Sequence, residues 1–220
     1  MSIWQKIGHF VGIPYLCTTM DDIELNWYAL KVFYGKVFEF EALLGDMGLE
    51  TYIPVREDLL KGEDHMRALR RLSTPDDRRR DNQFVRKGPL IFKRVPVVSS
   101  LLFVRAPQER VKEVEACVKE KGFVYRTADR EAVAVIPDKQ MAMFRLVCSS
   151  GAEGLDFFSD DDITRYKSGD KVRVLEGPLK GAEGYIKRIK KDRRLLVAIE
   201  GFIAVATMYI PPQFLEKVSD

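Results

Sequence analysis

The chain has 220 residues, 46% apolar and 31% charged, a composition that belongs to a folded, water-soluble protein and not to a disordered or membrane-spanning one. The length accommodates one large domain, or a domain of about 120 residues and a smaller one, and two domains are expected. A net charge of +3 selects no partner class by itself, and Cys17, Cys117 and Cys148, odd in number and without a Cys-x-x-Cys pair, indicate neither a disulfide framework nor a thiolate zinc site.

Residues 1–25 read as a leader, with a docking helix as the alternative; the apolar stretch from Ile7 to Cys17 is interrupted by His9, Gly12 and Pro14 and falls short of the about 20 residues that cross a bilayer. No membrane partner is expected, and a reducing cytoplasm suits the cysteines. Trp27 to Phe33 is rich in aromatic and β-branched residues and predicts a strand. After Gly35, Val37, Phe40, Leu43, Leu44 and Met47 recur at helical spacing as far as a stop at Gly48, and Glu50 to Val55 predicts a second strand.

Residues 56–95 are polar, charged and punctuated by Pro75, Gly88 and Pro89, which predicts an inserted long loop. Ser99 to Arg105 resumes as a strand. Pro107 suits the start of a helix whose buried stripe is Val111, Val114 and Val118. Short strands are predicted at Phe123–Thr127 and Ala132–Ile136, followed by a helix over Asp138–Val147. The order has the split βαβ character of ferredoxin-like α+β domains.

An aperiodic linker with Asp160, Asp161 and Asp162 follows over about residues 150–165. Beyond it, Gly169 to Tyr185 alternates valines with charged residues and then turns at Gly177-Pro178, and Leu195–Ile199 and Phe202–Ile210 add further strands. A small five-stranded barrel is expected over residues 166–220.

Catalytic constellations are missing from the sequence. His9 and His65 lack ligand spacing, and neither a phosphate-binding Gly-x-x-x-x-Gly-Lys loop nor a Gly-x-Ser-x-Gly elbow occurs. We expect no enzyme, no metal and no cofactor.

Two segments concentrate cations. Arg70, Arg71, Arg78, Arg79, Arg80, Arg86, Lys87, Lys93 and Arg94 outnumber Asp76, Asp77 and Asp81. With Phe84 among them, they suit either a solvated loop or a nucleic-acid contact that combines phosphate attraction with stacking. Lys187 to Arg194 suits a solvated turn or an RNA contact. A third feature is apolar: Leu101 and Phe103 share one face of their strand and Leu102 and Val104 the other, so both faces need cover.

Trp27-Tyr28-Ala29-Leu30, Leu101-Leu102-Phe103-Val104, Gly122-Phe123-Val124, Ile136-Pro137-Asp138-Lys139 and the Gly169–Tyr185 run, which looks like a KOW motif, together resemble the NusG family of transcription elongation factors over about residues 26–219. The charged segment looks more like specialised members of the RfaH and UpxY type, which regulate capsular polysaccharide operons.

The resemblance implies a polymerase-binding NGN domain over 26–149 and a KOW domain over 166–220. It also implies an antitermination role: gripping the clamp helices of the RNA polymerase largest subunit through Leu101, Phe103 and Phe123, and suppressing pausing. Arg78, Arg79, Arg80, Arg86 and Lys87 would reach non-template DNA. Phe202 and Ile203 would meet a small-subunit ribosomal protein or Rho, and the protein would act as a monomer. A ribosome-associated RNA-binding KOW protein and a small-molecule enzyme on the ferredoxin-like layer are the rival readings.

Overall fold

The structure, a computed structural model, describes residues 24–73, 82–150, 154–159, 169–189 and 192–218. The leader up to residue 23 and Arg78, Arg79 and Arg80 lie outside the described residues, as does most of the expected linker, including Asp160, Asp161 and Asp162.

The aromatic-rich opening forms β1 (Leu25–Val32), followed by α1 (Val37–Asp46) and β2 (Glu50–Tyr52). An inserted segment consists of β3 (Val55–Leu59), α2 (Gly62–Arg71), β4 (Phe84–Lys87) and β5 (Leu90–Pro96). The chain then returns through β6 (Leu101–Pro107), α3 (Val111–Val118), β7 (Gly122–Val124), β8 (Val135–Ile136) and α4 (Asp138–Ser149).

In the first sheet β6 runs antiparallel to β1, with Ala29 opposite Phe103 and Lys31 opposite Leu101. Its order is β2-β6-β1-β7, and β8 also pairs with β1. The strand alternation sorts side chains as the sequence predicts. Tyr28, Leu30, Leu102 and Val104 pack against α1 and α3, whereas Trp27, Ala29, Leu101 and Phe103 belong to the same cluster as Met141, Phe144 and Val147 of α4. Both greasy faces are therefore covered, each fully buried large side chain contributing about 1.5–3 kcal/mol. Gly122 is required by close approach, since a Cβ there would lie 2.1 Å from the Lys31 carbonyl oxygen on β1.

Residues 56–95 differ from the loop predicted for them. The described residues among them form a three-stranded antiparallel sheet, order β3-β5-β4, with α2 packed on β5. Gly88 and Pro89 are the hairpin turn between β4 and β5, Gly88 taking φ +62°. The sheet escaped the sequence pattern because its core is small, with Ala68 and Ile91 buried and most neighbours solvated. Arg94 anchors it to α1: its guanidinium donates to both carboxylate oxygens of Glu41 at 2.8 Å and lies 5.0 Å from the Phe38 ring centroid.

The C-terminal part is a six-stranded antiparallel sheet, order β14-β10-β11-β12-β13-β9, made by β9 (Asp156–Ser159), β10 (Lys171–Val174), β11 (Glu183–Ile189), β12 (Asp192–Ile199), β13 (Ile203–Tyr209) and β14 (Leu215–Lys217). β9 corrects the expected linker, because Asp156–Ser159 pairs with β13 from about residue 203 onward. Between β10 and β11 the chain reverses through Gly177 at φ +85° and Gly181 at φ +87°, conformations that L side chains rarely adopt. The two parts do not stand apart: Val172, Val174, Leu195, Val197, Ile199, Ile203 and Val205 join the cluster that contains α4 and the Leu101 face of β6.

Candidate functional site

The three residues expected to grip the polymerase are placed in two environments. Leu101 and Phe103 are 4% and 0% exposed. Phe103 packs edge-on against Phe144 of α4, ring centroids 6.2 Å apart, and lies 6.4 Å from Tyr52. They are core residues in this arrangement. Phe123 is 47% exposed because β7 turns its side chain to the side away from Gly122 and Val124, which are buried.

Phe123 lies within a row of rings that sequence reading did not assemble. Phe33 lies 6.0 Å from it and 6.3 Å from Tyr34, and on the other side Phe123 meets Tyr125 at 5.3 Å. Tyr34 is 84% exposed and holds φ +60°, a left-handed conformation uncommon for a non-glycine residue. Such backbone strain persists where the surroundings impose it and clusters at functional surfaces. The signal in the sequence was Phe33-Tyr34-Gly35 at the end of β1, but the pairing with β7 that brings Phe123 beside it is nonlocal.

The row continues into the C-terminal sheet. Tyr125 meets Phe202 at 5.2 Å and 88°, and Ile203 is fully buried. The two residues expected to receive a third partner are thus turned inward, Phe202 against Tyr125 and Ile203 into the shared core.

Polar contacts accompany this junction. Lys139 Nζ on α4 lies 2.7 Å from Glu183 Oε2 on β11, and Arg173 Nη2 lies 2.6 Å from Glu183 Oε1. Hydrogen bonding from Lys139, then Arg173, holds the Glu183 carboxyl below the usual carboxylate range. The Glu200 amide donates to Gln140 Oε1 at 3.2 Å. Arg145 on α4 pairs with Glu50 at 2.7 Å while its guanidinium stacks over Trp27 and Tyr52 at 5.4 and 5.3 Å.

Beneath it, burial raises the Tyr52 hydroxyl well above its ordinary value and pushes the Cys148 thiol up to about 12, so Cys148 remains a neutral packing group.

The nucleic-acid candidates within the described residues are Arg86 and Lys87 on β4. Arg86 Nε donates to the Gly88 carbonyl at 3.0 Å, and Lys87 pairs with Glu57 on β3 and sits over the Phe92 ring at 5.3 Å. Both are exposed, but Lys87 is partly neutralised. The inserted unit also holds a cleft between α2 and the β4-β5 hairpin, lined by Arg67, Arg70, Phe84 and Lys93 among others. Arg67 lay outside the basic segment marked in the sequence, and only the folding of α2 onto β5 brings it beside Lys93.

Among the described residues no three metal-ligating side chains converge, and no helix is long and apolar enough to cross a membrane.

A family model described as NusG, transcription termination factor, matches residues 25–145. Among solved structures the chain is similar to one described as "Domain interaction in Thermotoga maritima NusG", with 16% identity and a TM-score of 0.41 over 89% of this chain and 98% of that one. No curated protein matches the chain.

Proposed function

Because this chain belongs to the NusG family of transcription factors, we propose that it is an elongation and antitermination regulator that docks on the clamp helices of the RNA polymerase largest subunit. In this reading residues 26–149 are a ferredoxin-like NGN unit and residues 166–220 an SH3-like KOW unit. Docking lets the polymerase pass pauses and terminators by holding the clamp closed, which requires binding energy and no turnover chemistry.

The exposed aromatic row of Tyr34, Phe33 and Phe123 supports this most directly. Large rings offered to solvent at one end of a sheet suit the packed centre of a protein interface, where aromatic residues carry most of the binding energy. Phe123 makes the direct contact, and Leu101 and Phe103 form the floor that fixes the sheet beneath it.

The inserted sheet between β2 and β6 supports the specialised, RfaH or UpxY type of regulator, acting at particular surface-polysaccharide operons. It adds a second, basic surface on which Arg86, Lys87 and the segment holding Arg78, Arg79 and Arg80 contact non-template DNA. The KOW unit recruits Rho or a ribosomal small-subunit protein through Phe202 and Ile203 once Phe202 leaves Tyr125. The protein acts as a cytoplasmic monomer.

Retention of purified RNA polymerase by the tagged full chain tests the docking step. Wild type retains polymerase after nuclease treatment and Phe123→Asp does not; equal retention by both would remove Phe123 from the interface.

A further inference from the structure

We propose that the inserted unit carries a binding cleft for single-stranded nucleic acid between α2 and the β4-β5 hairpin, where Arg70 and Lys93 hold phosphates and Phe84 stacks on a base. This deepens the nucleic-acid part of the function proposed above, extending the contact from the outer edge of β4 into the cleft. It does not depend on polymerase docking.

The cleft is built from two directions. α2 contributes Asp64, Arg67 and Arg70 as one wall, and the strands contribute Phe84 and Lys93, which are direct partners in the β4-β5 register. Leu60 continues the apolar surface beside Phe84. Among the described residues, Arg67, Arg70, Arg71 and Lys93 line this space against the one carboxylate of Asp64.

Most other cations of the unit already have counter-charges. Arg94 is clamped by Glu41, Lys87 by Glu57 and Arg56 by Asp58, while Arg67 reaches Glu63 at 3.1 Å and Asp64 at 3.8 Å. Among the described residues Arg70 and Lys93 have no ion-pair partner. Two unpaired cations lining one cleft repel each other, and a bound polyanion removes that repulsion while releasing its own counterions.

The half-buried ring of Phe84 decides the class of polyanion. A phosphate ion or an acidic peptide has no use for an aromatic platform between cations, and a duplex keeps its base faces stacked internally. An unpaired strand offers both a phosphate chain and free base faces, the combination that grooves for single strands exploit.

Fluorescence anisotropy with labelled oligodeoxythymidylate, measured on the full chain without polymerase over a series of salt concentrations, tests the cleft. Each phosphate contact contributes about 0.7 to the slope of log affinity against log salt for single strands. Arg70→Ala/Lys93→Ala, both positions exposed and tolerant of truncation, therefore weakens binding at least tenfold and lowers the slope by about 1.4.

Phe84→Leu, which keeps an apolar residue on β4, weakens binding about tenfold with the slope unchanged, through loss of stacking. An abasic oligonucleotide erases the difference between Phe84→Leu and wild type. Unchanged affinity and slope in the double variant would overturn the inference, as would equally tight binding of a duplex or of polyglutamate. Because polymerase is absent, these outcomes are independent of the Phe123→Asp retention result.

Discussion

The ring of Tyr125 beside β7 stands nearly perpendicular to that of Phe202 beside β13, centroids 5.2 Å apart. Through this pair the row containing Phe123, offered to solvent, is continuous with the residue through which the C-terminal unit would recruit a further partner. Edge-to-face pairs contribute about 0.5–1.5 kcal/mol beyond burial of their area. Tyr125→Ala therefore loosens the junction without unfolding either part. Hydrogen exchange reads this as faster exchange at the Phe202 amide, which donates to the Ile199 carbonyl at 3.1 Å, with β1 and β6 unaffected.

Phe103 and Phe123, both candidates for the polymerase contact, respond to truncation by very different amounts. Phe103→Ala opens a cavity between β6 and α4 and destabilises the fold by about 3–5 kcal/mol. Phe123→Ala, at a half-exposed position, costs under about 1 kcal/mol because surface substitutions remove little packing. Urea unfolding of the two variants checks the order, and equal midpoints would show that Phe103 is not the core residue described above.

The seating of the inserted unit depends on the Arg94–Glu41 pair, whose side chains are 18% and 12% exposed. Removing one partner of a pair so desolvated leaves an uncompensated charge and costs about 3 kcal/mol. Arg94→Lys loses the two parallel hydrogen bonds and recovers only part of the stability. A double-mutant cycle with Glu41→Ala yields a coupling above about 1 kcal/mol if the contact is direct.

The Lys139–Glu183 bridge gives the junction a pH dependence. The Glu183 carboxyl is held below its usual value of 4.5 when the bridge is formed. Its stabilising contribution is complete above that value and disappears as falling pH protonates the carboxylate through its lowered pKa. The stability difference between wild type and Lys139→Ala is then largest at neutral pH and shrinks below pH 4.5. A difference that grows on acidification would contradict the bridge.

Legibility in the sequence followed the amount of apolar surface each element buries. β1, α1, β6, α3 and α4 carry stripes that pack against the sheet, and their alternation or helical spacing announced them. The inserted sheet buries little beyond Ala68 and Ile91, so its charged outer face dominated the pattern and its hairpin turn resembled loop punctuation. β9 depends on pairing with β13, which no local window contains. Phe123 and Phe202 were both visible as aromatic residues at strand ends. Their connection through Tyr125 was not, because it joins parts of the chain about 75 residues apart in sequence that meet only when α4 packs between the two sheets.

Transcription in vitro with purified polymerase on a template of the cognate locus carrying a terminator tests the central claim most directly. The full-length protein increases read-through and shortens pauses, and Phe123→Asp, folded to the same extent, does neither. Read-through that is the same with and without the protein would contradict its assignment as an antitermination regulator.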